Sequence, residues 1–141
     1  MTLQKPTFEK AAALILNEKG KLLIAKKRGK DTWISIGGRI EAGESDEDCL
    51  RRVIEEELSI TKLNITKYYC ETGVEFNPHK LGETLIVRFY LVDIQEEAKA
   101  NFEIEAIKWI SLSEVDEMSN KLASGLVKFA IPNLVQDSLM R

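Results

Sequence analysis

Apolar residues recur in short runs separated by turn-forming residues, a pattern that predicts several strands and a few helices. The apolar runs at 10–16 and 22–25 flank the turn sequence Asn-Glu-Lys-Gly and predict a β-hairpin. Regions rich in β-branched and aromatic residues predict further strands at 32–36, 65–76, 83–94 and 102–110. Gly37 and Gly38 end the first of these strands, and paired glycines there allow a tight turn or a close approach of backbone to ligand.

Residues 45–58 carry the clearest helical pattern. Ser45 with Asp48 three residues later fits a capping box. On a helical wheel of about 100° per residue, one apolar stripe contains Cys49, Leu50, Val53, Ile54 and Leu58. Glu57 lies inside that stripe, and Glu56 lies at its edge, four residues after Arg52. A carboxylate at position 57 therefore needs a partner, a proton or access to a polar cavity.

The remaining segments predict less regular structure. Residues 77–82 have the composition of an exposed loop, in which His79, the one histidine of the chain, is expected to be inert. Ser113 is a candidate cap for a short helix, and helical spacing at 121–140 is interrupted at Pro132, which should kink or break a helix. Strands and helices that mix in this way indicate one α/β unit of the mixed α+β kind over residues 1–141.

Composition narrows the class of protein. Hydrophobic residues make up 44% of the chain and charged residues 30%, values that exclude a disordered or collagen-like chain. No apolar run approaches the ~18 residues that a membrane-spanning helix needs. Two cysteines without metal-binding spacing and the absence of a secretory signal predict a reduced, cytoplasmic protein.

The net charge of −3 hides a segregation of charge along the chain. Residues 1–43 contain nine basic and four acidic residues, whereas residues 44–57 contain two basic and seven acidic residues. The small net charge argues against non-specific binding to nucleic acid. The segregation suits either a solvated helix face or a site that handles an anion through a bound cation.

A fixed pattern spans the glycine pair and the helix. Its residues are Gly38, Glu44, Arg52, Ile54, Glu56, Glu57 and Ile60. This arrangement resembles the box of the Nudix hydrolase family (MutT-like), G-x5-E-x7-R-E-U-x-E-E-x-G-U, in which U is aliphatic. The resemblance implies a mixed β-sheet between helices. It also implies Mg²⁺- or Mn²⁺-dependent hydrolysis of a nucleoside diphosphate linked to another moiety, and the expected substrate is a small nucleotide or oxidised nucleotide.

The resemblance also implies roles for individual residues. Glu56 and Glu57 resemble metal ligands, as does the Gly37 carbonyl. Glu44 resembles the residue that supports the site, and Arg52 resembles the one that orients a glutamate through an ion pair. The candidate substrate-binding residues are Lys26, Lys27, Arg28, Trp33 and Gly38.

Two positions depart from the box: Val53 replaces a glutamate and Ser59 replaces a glycine. If position 59 needs a positive φ, the serine costs about 1 kcal/mol. Val53 is expected to face the metal cluster, and the loss of a ligand or base commonly lowers a rate by ~10² to 10⁴. Restoring glutamate at position 53 should then raise activity at least tenfold.

Two interpretations of Val53 stay open. Either the chain is an enzyme whose base or extra metal ligand comes from a later loop, with Glu103 and Glu105 as candidates, or the fold serves as a nucleotide-binding or regulatory module. Glu103 is assigned to the metal site and Glu105 to catalysis. Neither the substrate's identity nor the oligomeric state follows from the sequence, and a homodimer is compatible with it.

Overall fold

The strands gather into two sheets in the computed structural model, which describes residues 5–77 and 80–141. The elements in chain order are β1 (Phe8–Ile15), β2 (Leu22–Lys27), β3 (Trp33–Ile34), β4 (Ile36–Arg39), α1 (Asp46–Leu58), β5 (Leu63–Glu71), β6 (Glu75–Phe76), β7 (Thr84–Ile94), β8 (Ile104–Ile110), α2 (Leu112–Met118), a 3₁₀ turn (Ser119–Lys121), a π-helical turn (Leu126–Ala130) and α3 (Ile131–Gln136). The expectation for His79 concerns a position outside the described residues.

The larger sheet has the order β4-β1-β7-β5, with β6 also paired to β7. In it β1 and β7 run parallel, and the other pairs are antiparallel. The smaller sheet has the order β3-β2-β8 and is antiparallel throughout. Mixed sheets of this kind need both faces covered, which explains the nearly continuous apolar sequence of β1.

The predicted hairpin is right at its turn and wrong in its pairing. The Asn17 side chain accepts hydrogen bonds from the amides of Lys19 and Lys21, both at 3.0 Å. Beyond a single bridge between Leu16 and Leu22, however, the two strands separate into different sheets. Both edges of β1 are occupied by β4 and β7, so β2 pairs with β8 instead.

The strand predicted at 32–36 is likewise divided between the sheets. Residues 33 and 34 form β3 beside β2, whereas β4 begins at Ile36 and pairs with β1. A local pattern identifies extended backbone but carries no information about which neighbour the strand will meet.

Helices cover both faces of the sheets, as the sequence predicted for a mixed α+β fold. Ala11, Ala13 and Ile15 of β1 pack into the core beneath α1. The alternate residues Ala12 and Leu14 pack into a second core that is covered by the C-terminal helices. Within the described residues, no helix combines the length and the apolar character needed to cross a membrane.

The N-terminus of α1 is fixed by two sets of contacts. The predicted capping box is confirmed: the Asp48 amide donates to Ser45 Oγ at 3.0 Å, and the Ser45 amide donates to Asp48 at 3.2 Å. Asp46 also accepts two hydrogen bonds from Arg88 of β7, at 2.7 and 2.8 Å, and one from the Tyr90 hydroxyl. The sequence predicted the cap but not this anchor to the sheet.

Two predictions for the C-terminal region need correction. The cap of α2 is Ser111, whose amide donates to the Glu114 side chain at 3.1 Å, and not Ser113. Pro132 lies in the first turn of α3, where a missing amide proton costs no helical hydrogen bond. A π-helical turn lies directly before α3, so the helical path continues through this region instead of breaking.

Ser59 ends α1 in a left-handed conformation with φ 58° and ψ 37°, so this position does require a positive φ. We expect Ser59→Gly to raise the free energy of unfolding by about 1 kcal/mol, because glycine lacks the Cβ that makes this conformation costly. Urea denaturation measures the change. Ser119→Gly is the matched control: Ser119 has an ordinary helical φ of −54°, so the same substitution should destabilise there. Equal effects at the two serines would contradict the explanation.

Candidate active site

An ion pair joins the loop before α1 to the middle of that helix. Arg52 Nε donates to Glu44 Oε2 at 2.7 Å, and Arg52 Nη2 donates to Glu44 Oε1 at 3.0 Å. Two parallel hydrogen bonds of this kind fix orientation as well as distance. Arg52 Nη2 also donates to the backbone carbonyl of Arg39 at 3.1 Å, which ties the helix to the end of β4.

Glu44 is held as a carboxylate by these contacts. Its hydrogen bond from Arg52, followed by one from the Glu41 amide, lowers the pKa of Glu44 to about 2. The Arg52 guanidinium lies farther from Glu56, at 3.7 Å. Arg52 therefore orients mainly Glu44, and Glu56 remains exposed at the surface of α1.

Glu57 is the buried carboxylate of α1, as its place in the apolar stripe predicted. The residue is 4% exposed, and its Oε2 atom has no hydrogen-bond partner among the described residues. Burial raises the pKa of Glu57 to about 7, opposed by the positive charge of Lys27 and assisted by the negative charges of Glu103 and Glu56. A carboxyl group in this state can exchange a proton near neutral pH.

The charges around Glu57 identify the neighbours that share its site. Lys27, at the end of β2, lies 3.7 Å from a carboxylate oxygen of Glu103, which directly precedes β8. A cavity of about 600 Å³ beside these residues is lined by Lys27, Arg28, Lys30, Phe102 and Glu103. Of the residues that line this cavity, Lys27 and Glu103 are the two whose charges act on the buried Glu57.

The donor chemistry here fits a divalent cation. Carboxylate oxygens are the hard ligands that Mg²⁺ and Mn²⁺ prefer. The Glu57 Oε2 atom, which has no hydrogen-bond partner among the described residues, is an oxygen ligand of that kind. In the described part of the chain, no three acidic, histidine or cysteine side chains already surround one point as a metal shell. Glu56 and Glu103 instead pair with Arg52 and Lys27, so a cation at Glu57 would compete with these ion pairs.

Gly37 and Gly38 lie within β4, and neither forms a turn with positive φ. A Cβ built on Gly37 would lie 2.6 Å from the carbonyl oxygen of Ala11, and one on Gly38 would lie 2.7 Å from Val53 Cγ1. The pair is therefore required by the packing of β1 and α1 around β4. Both glycines also line a cleft of about 870 Å³.

Val53 is 3% exposed and belongs to the core between α1 and the sheets. Its contact with Gly38 shows what this departure from the box does: an aliphatic side chain fills the space above a strand without side chains. The structure gives Val53 this packing role, and the expectation that it faces a metal cluster stays a prediction.

The other candidate residues do not all converge on Glu57. Lys26 pairs with Glu105 at 3.0 Å and lies over the Trp33 ring at 5.7 Å. Trp33 packs against the core under the C-terminal helices, and its carbonyl accepts from the Ala123 amide at 2.9 Å. Because successive strand residues face opposite sides of a sheet, Lys26 and Lys27 contact different residues: Lys26 pairs with Glu105, and Lys27 pairs with Glu103. Of the two later glutamates, the structure brings Glu103 to Glu57 and places Glu105 with Lys26.

Sequence reasoning missed two cations of the cleft. Lys10 of β1 and Arg39 of β4 are register partners on neighbouring strands, and both line the cleft with Lys27 and Lys30. The available signal was Lys10 itself, since it is the polar residue at the start of an otherwise apolar run.

The NUDIX domain family model matches residues 6–130. The chain belongs to the Nudix family. Among curated Nudix relatives, the 8-oxo-dGTP diphosphatase of Haemophilus influenzae is 36% identical over 70 residues, which cover 47% of this chain and 52% of that protein. The chain thus matches about half the length of this relative.

Solved structures agree on the Nudix fold. The MutT protein from Methanosarcina mazei has a TM-score of 0.76 and 23% identity, covering 96% of this chain and 99% of its own. A bifunctional NMN adenylyltransferase/ADP ribose pyrophosphatase from Francisella tularensis, solved with AMP and a manganese ion, has a TM-score of 0.71 and 23% identity. That comparison covers 95% of this chain and 42% of the Francisella chain. Divalent metals are general in the family, and manganese is present in this neighbour.

The raised pKa of Glu57 predicts a pH-dependent loss of stability in metal-free protein. The folded-state pKa of about 7 lies above the ordinary glutamate pKa of 4.5, so between these values the folded protein holds a proton that the unfolded chain loses. Stability therefore falls as pH rises from about 4.5 to 7, and the full penalty of about 3 kcal/mol applies above that range.

We expect Glu57→Gln to recover up to about 3 kcal/mol of unfolding free energy at pH 8 and little at pH 4.5, because the amide carries no charge. Urea denaturation in EDTA at both values measures the difference. Glu55→Gln, on the exposed face of the same helix, is the control and should change little. A Glu57→Gln protein no more stable than wild type at pH 8 would contradict the assignment.

Proposed function

We propose that this Nudix chain is a Mg²⁺- or Mn²⁺-dependent pyrophosphohydrolase acting on a nucleoside diphosphate derivative. The observation that carries the proposal is the buried, unpartnered oxygen of Glu57 beside Lys27 and Glu103. A buried carboxylate without a partner destabilises the protein. A bound cation, or a proton taken up by the carboxylate, would remove that unfavourable free energy. The position coincides with the second of the paired glutamates in the box.

The chain's own residues divide the work. Glu44 and Arg52 hold the loop before α1 against the helix and so fix the position of Glu57. Glu57 would hold the cation, with Glu56 and Glu103 beside it, while Lys27 would meet a substrate phosphate. The cation, when bound, would neutralise pyrophosphate charge and activate water. Because Glu57 has a pKa of about 7, binding a cation at neutral pH would release a proton from this carboxyl group.

A nucleotide substrate is supported by the names of two relatives and by the cleft. One relative is an 8-oxo-dGTP diphosphatase, and one structural neighbour contains an ADP ribose pyrophosphatase. The cleft of about 870 Å³ lies within the size range of small-molecule sites. Its lining is net positive, which suits an anionic ligand, because four cations outnumber two acids: Lys10, Lys27, Lys30 and Arg39 against Asp31 and Glu75.

The alternative is a nucleotide-binding or regulatory module without turnover. Val53 favours it, because the position where the box has a glutamate is occupied by core packing against Gly38. The remaining carboxylates Glu44, Glu56 and Glu57 favour the enzyme.

A substrate panel separates the two functions. We expect metal-dependent release of a phosphorylated product from at least one of dGTP, 8-oxo-dGTP, ADP-ribose and a dinucleoside polyphosphate. Glu57→Gln should lower the rate at least 100-fold, the scale of losing a principal charged group at a site, and Glu55→Gln should not. Calorimetric binding of a nucleotide without cleavage by the wild-type protein would select the module instead.

The packing of Val53 against Gly38 supports an outcome for Val53→Glu other than a gain in activity. A carboxylate at this buried position would displace packing against Gly38, so we expect the unfolding free energy to fall by about 3 kcal/mol at pH 8 and turnover not to exceed that of wild type. Val53→Ala, which lacks the charge, should destabilise less and serves as control. A tenfold gain in metal-dependent turnover by Val53→Glu would show that the position faces the reaction after all.

A further inference from the structure

The last turn of α1 is closed by a segment from elsewhere in the chain. A helix leaves its last four carbonyl oxygens without partners inside the helix, and each of these four in α1 has a donor. The Ser59 amide donates to the Glu55 carbonyl at 3.0 Å. The other three bonds come from the connection between β7 and β8: the Lys99 amide to the Leu58 carbonyl at 3.1 Å, the Asn101 amide to the Glu57 carbonyl at 3.0 Å, and Asn101 Nδ2 to the Glu56 carbonyl at 3.2 Å.

Asn101 donates two of these four bonds, and both end on the backbone of a candidate metal ligand. Helix ends fray where their carbonyls lack partners, and Glu57 is the last residue but one of α1. The last turn of α1, which the structure describes throughout, contains no basic side chain that could interact with these carbonyls instead. The placement of both carboxylates therefore depends on a residue 45 positions away from Glu56.

The same asparagine begins the turn that carries Glu103. The Asn101 carbonyl accepts from the Ile104 amide at 3.0 Å, and the Glu103 carbonyl accepts from the Arg28 amide at 2.9 Å, directly after β2. Phe102 between them has φ 54°, a conformation that bulky residues seldom adopt and that persists where the surrounding structure imposes it. The backbone of Glu103 is thus held between the end of α1 and the end of β2.

The carboxylates of Glu57 and Glu103 act on each other in the metal-free protein. Burial raises the pKa of Glu57 most strongly, the positive charge of Lys27 opposes this rise, and the negative charge of Glu103 adds to it. Repulsion between two carboxylates becomes attraction to a divalent cation that both can bind. Because such a cation needs its ligands at a defined separation, a residue that fixes their backbones affects metal affinity without touching the metal.

We propose that Asn101 is a positioning residue of the metal site. Its bonds to the carbonyls of Glu56 and Glu57 hold the last turn of α1 in place beside Glu103, so that Glu57 and Glu103 can bind the same divalent cation. The inference rests on the proposed function for the identity of the metal site. Asn101 contacts neither cation nor substrate in this role, so it is not a catalytic residue.

Binding of Mn²⁺, followed by the electron paramagnetic resonance signal of the free ion, tests the role without any cleavage. Asn101 is exposed, so Asn101→Ala leaves the core intact while it removes the side-chain bond to the Glu56 carbonyl. We expect this variant to raise the Kd for Mn²⁺ about tenfold or more, the scale for losing a residue that orients a metal ligand.

Asn133→Ala is the matched control. Asn133 of α3 also donates from Nδ2 to a backbone carbonyl, that of Phe129, at 2.7 Å. The substitution removes the same kind of bond at an exposed position outside the candidate site, so the Kd for Mn²⁺ should stay at the wild-type value.

A double-mutant cycle distinguishes positioning from a general loss of stability. Glu103→Gln should itself weaken Mn²⁺ binding. If Asn101 acts through the placement of Glu103, adding Asn101→Ala to Glu103→Gln should weaken binding far less than adding it to wild type, because residues that act as a unit are not additive. Equal weakening in both backgrounds, no weakening by Asn101→Ala, equal weakening by Asn133→Ala, or no Mn²⁺ binding by wild type overturns the role.

The outcome is separable from that of the substrate panel. If no nucleotide is hydrolysed but Mn²⁺ binding depends on Asn101 and Glu103 as a unit, the enzyme proposal fails and the positioning role stands. If nucleotides are hydrolysed and the Asn101→Ala protein binds Mn²⁺ as tightly as wild type, the positioning role fails and the enzyme stands.

Discussion

The close contact between α1 and β4 positions the charged groups that the helix brings to the site. Gly38 allows it, since a Cβ there would lie 2.7 Å from Val53 Cγ1. Cys49 Sγ donates to the Gly38 carbonyl at 3.4 Å, and Arg52 donates to the Arg39 carbonyl at 3.1 Å. Together with Val53, these two side chains of α1 therefore contact the last two residues of β4. Glu57 follows Val53 by one turn of this fixed helix. It therefore lies within the electrostatic influence of Lys27, at the end of β2, and of Glu103, directly before β8.

The electrostatics of the site follow from which charges find partners. Arg52 neutralises Glu44, and Arg88 neutralises Asp46 at the start of α1, so these pairs serve to hold the helix. Glu57 and Lys10 have no such partner among the described residues, and burial shifts the pKa of each toward its uncharged form. An acid and a base left in this condition are suited to a cation and an anion, respectively, which is the combination that a metal-assisted reaction of a phosphate ester or anhydride requires.

Local sequence predicted α1 well because its signals lie within one or two turns. The capping box at Ser45 and the burial of Glu57 were both predicted from residues three or four positions away. The hairpin, the strand at 32–36 and the cap at Ser113 were misjudged, since strand pairing depends on distant partners and two serines two positions apart offer the same capping group. The anchor between Asp46 and Arg88 joins residues 42 positions apart, beyond any local pattern.

The sequence by itself determined the family pattern, the helix that carries the acids and the presence of one acid on its apolar stripe, because helical periodicity and box spacing are properties of a continuous segment. Only the tertiary structure decided that Val53 is core, that Glu103 and not Glu105 reaches Glu57, and that Lys10 meets Arg39. Each of these depends on which strands pair and on which face a strand presents. Those choices minimise the free energy of the whole chain, through burial of both faces of β1, and no short segment encodes them.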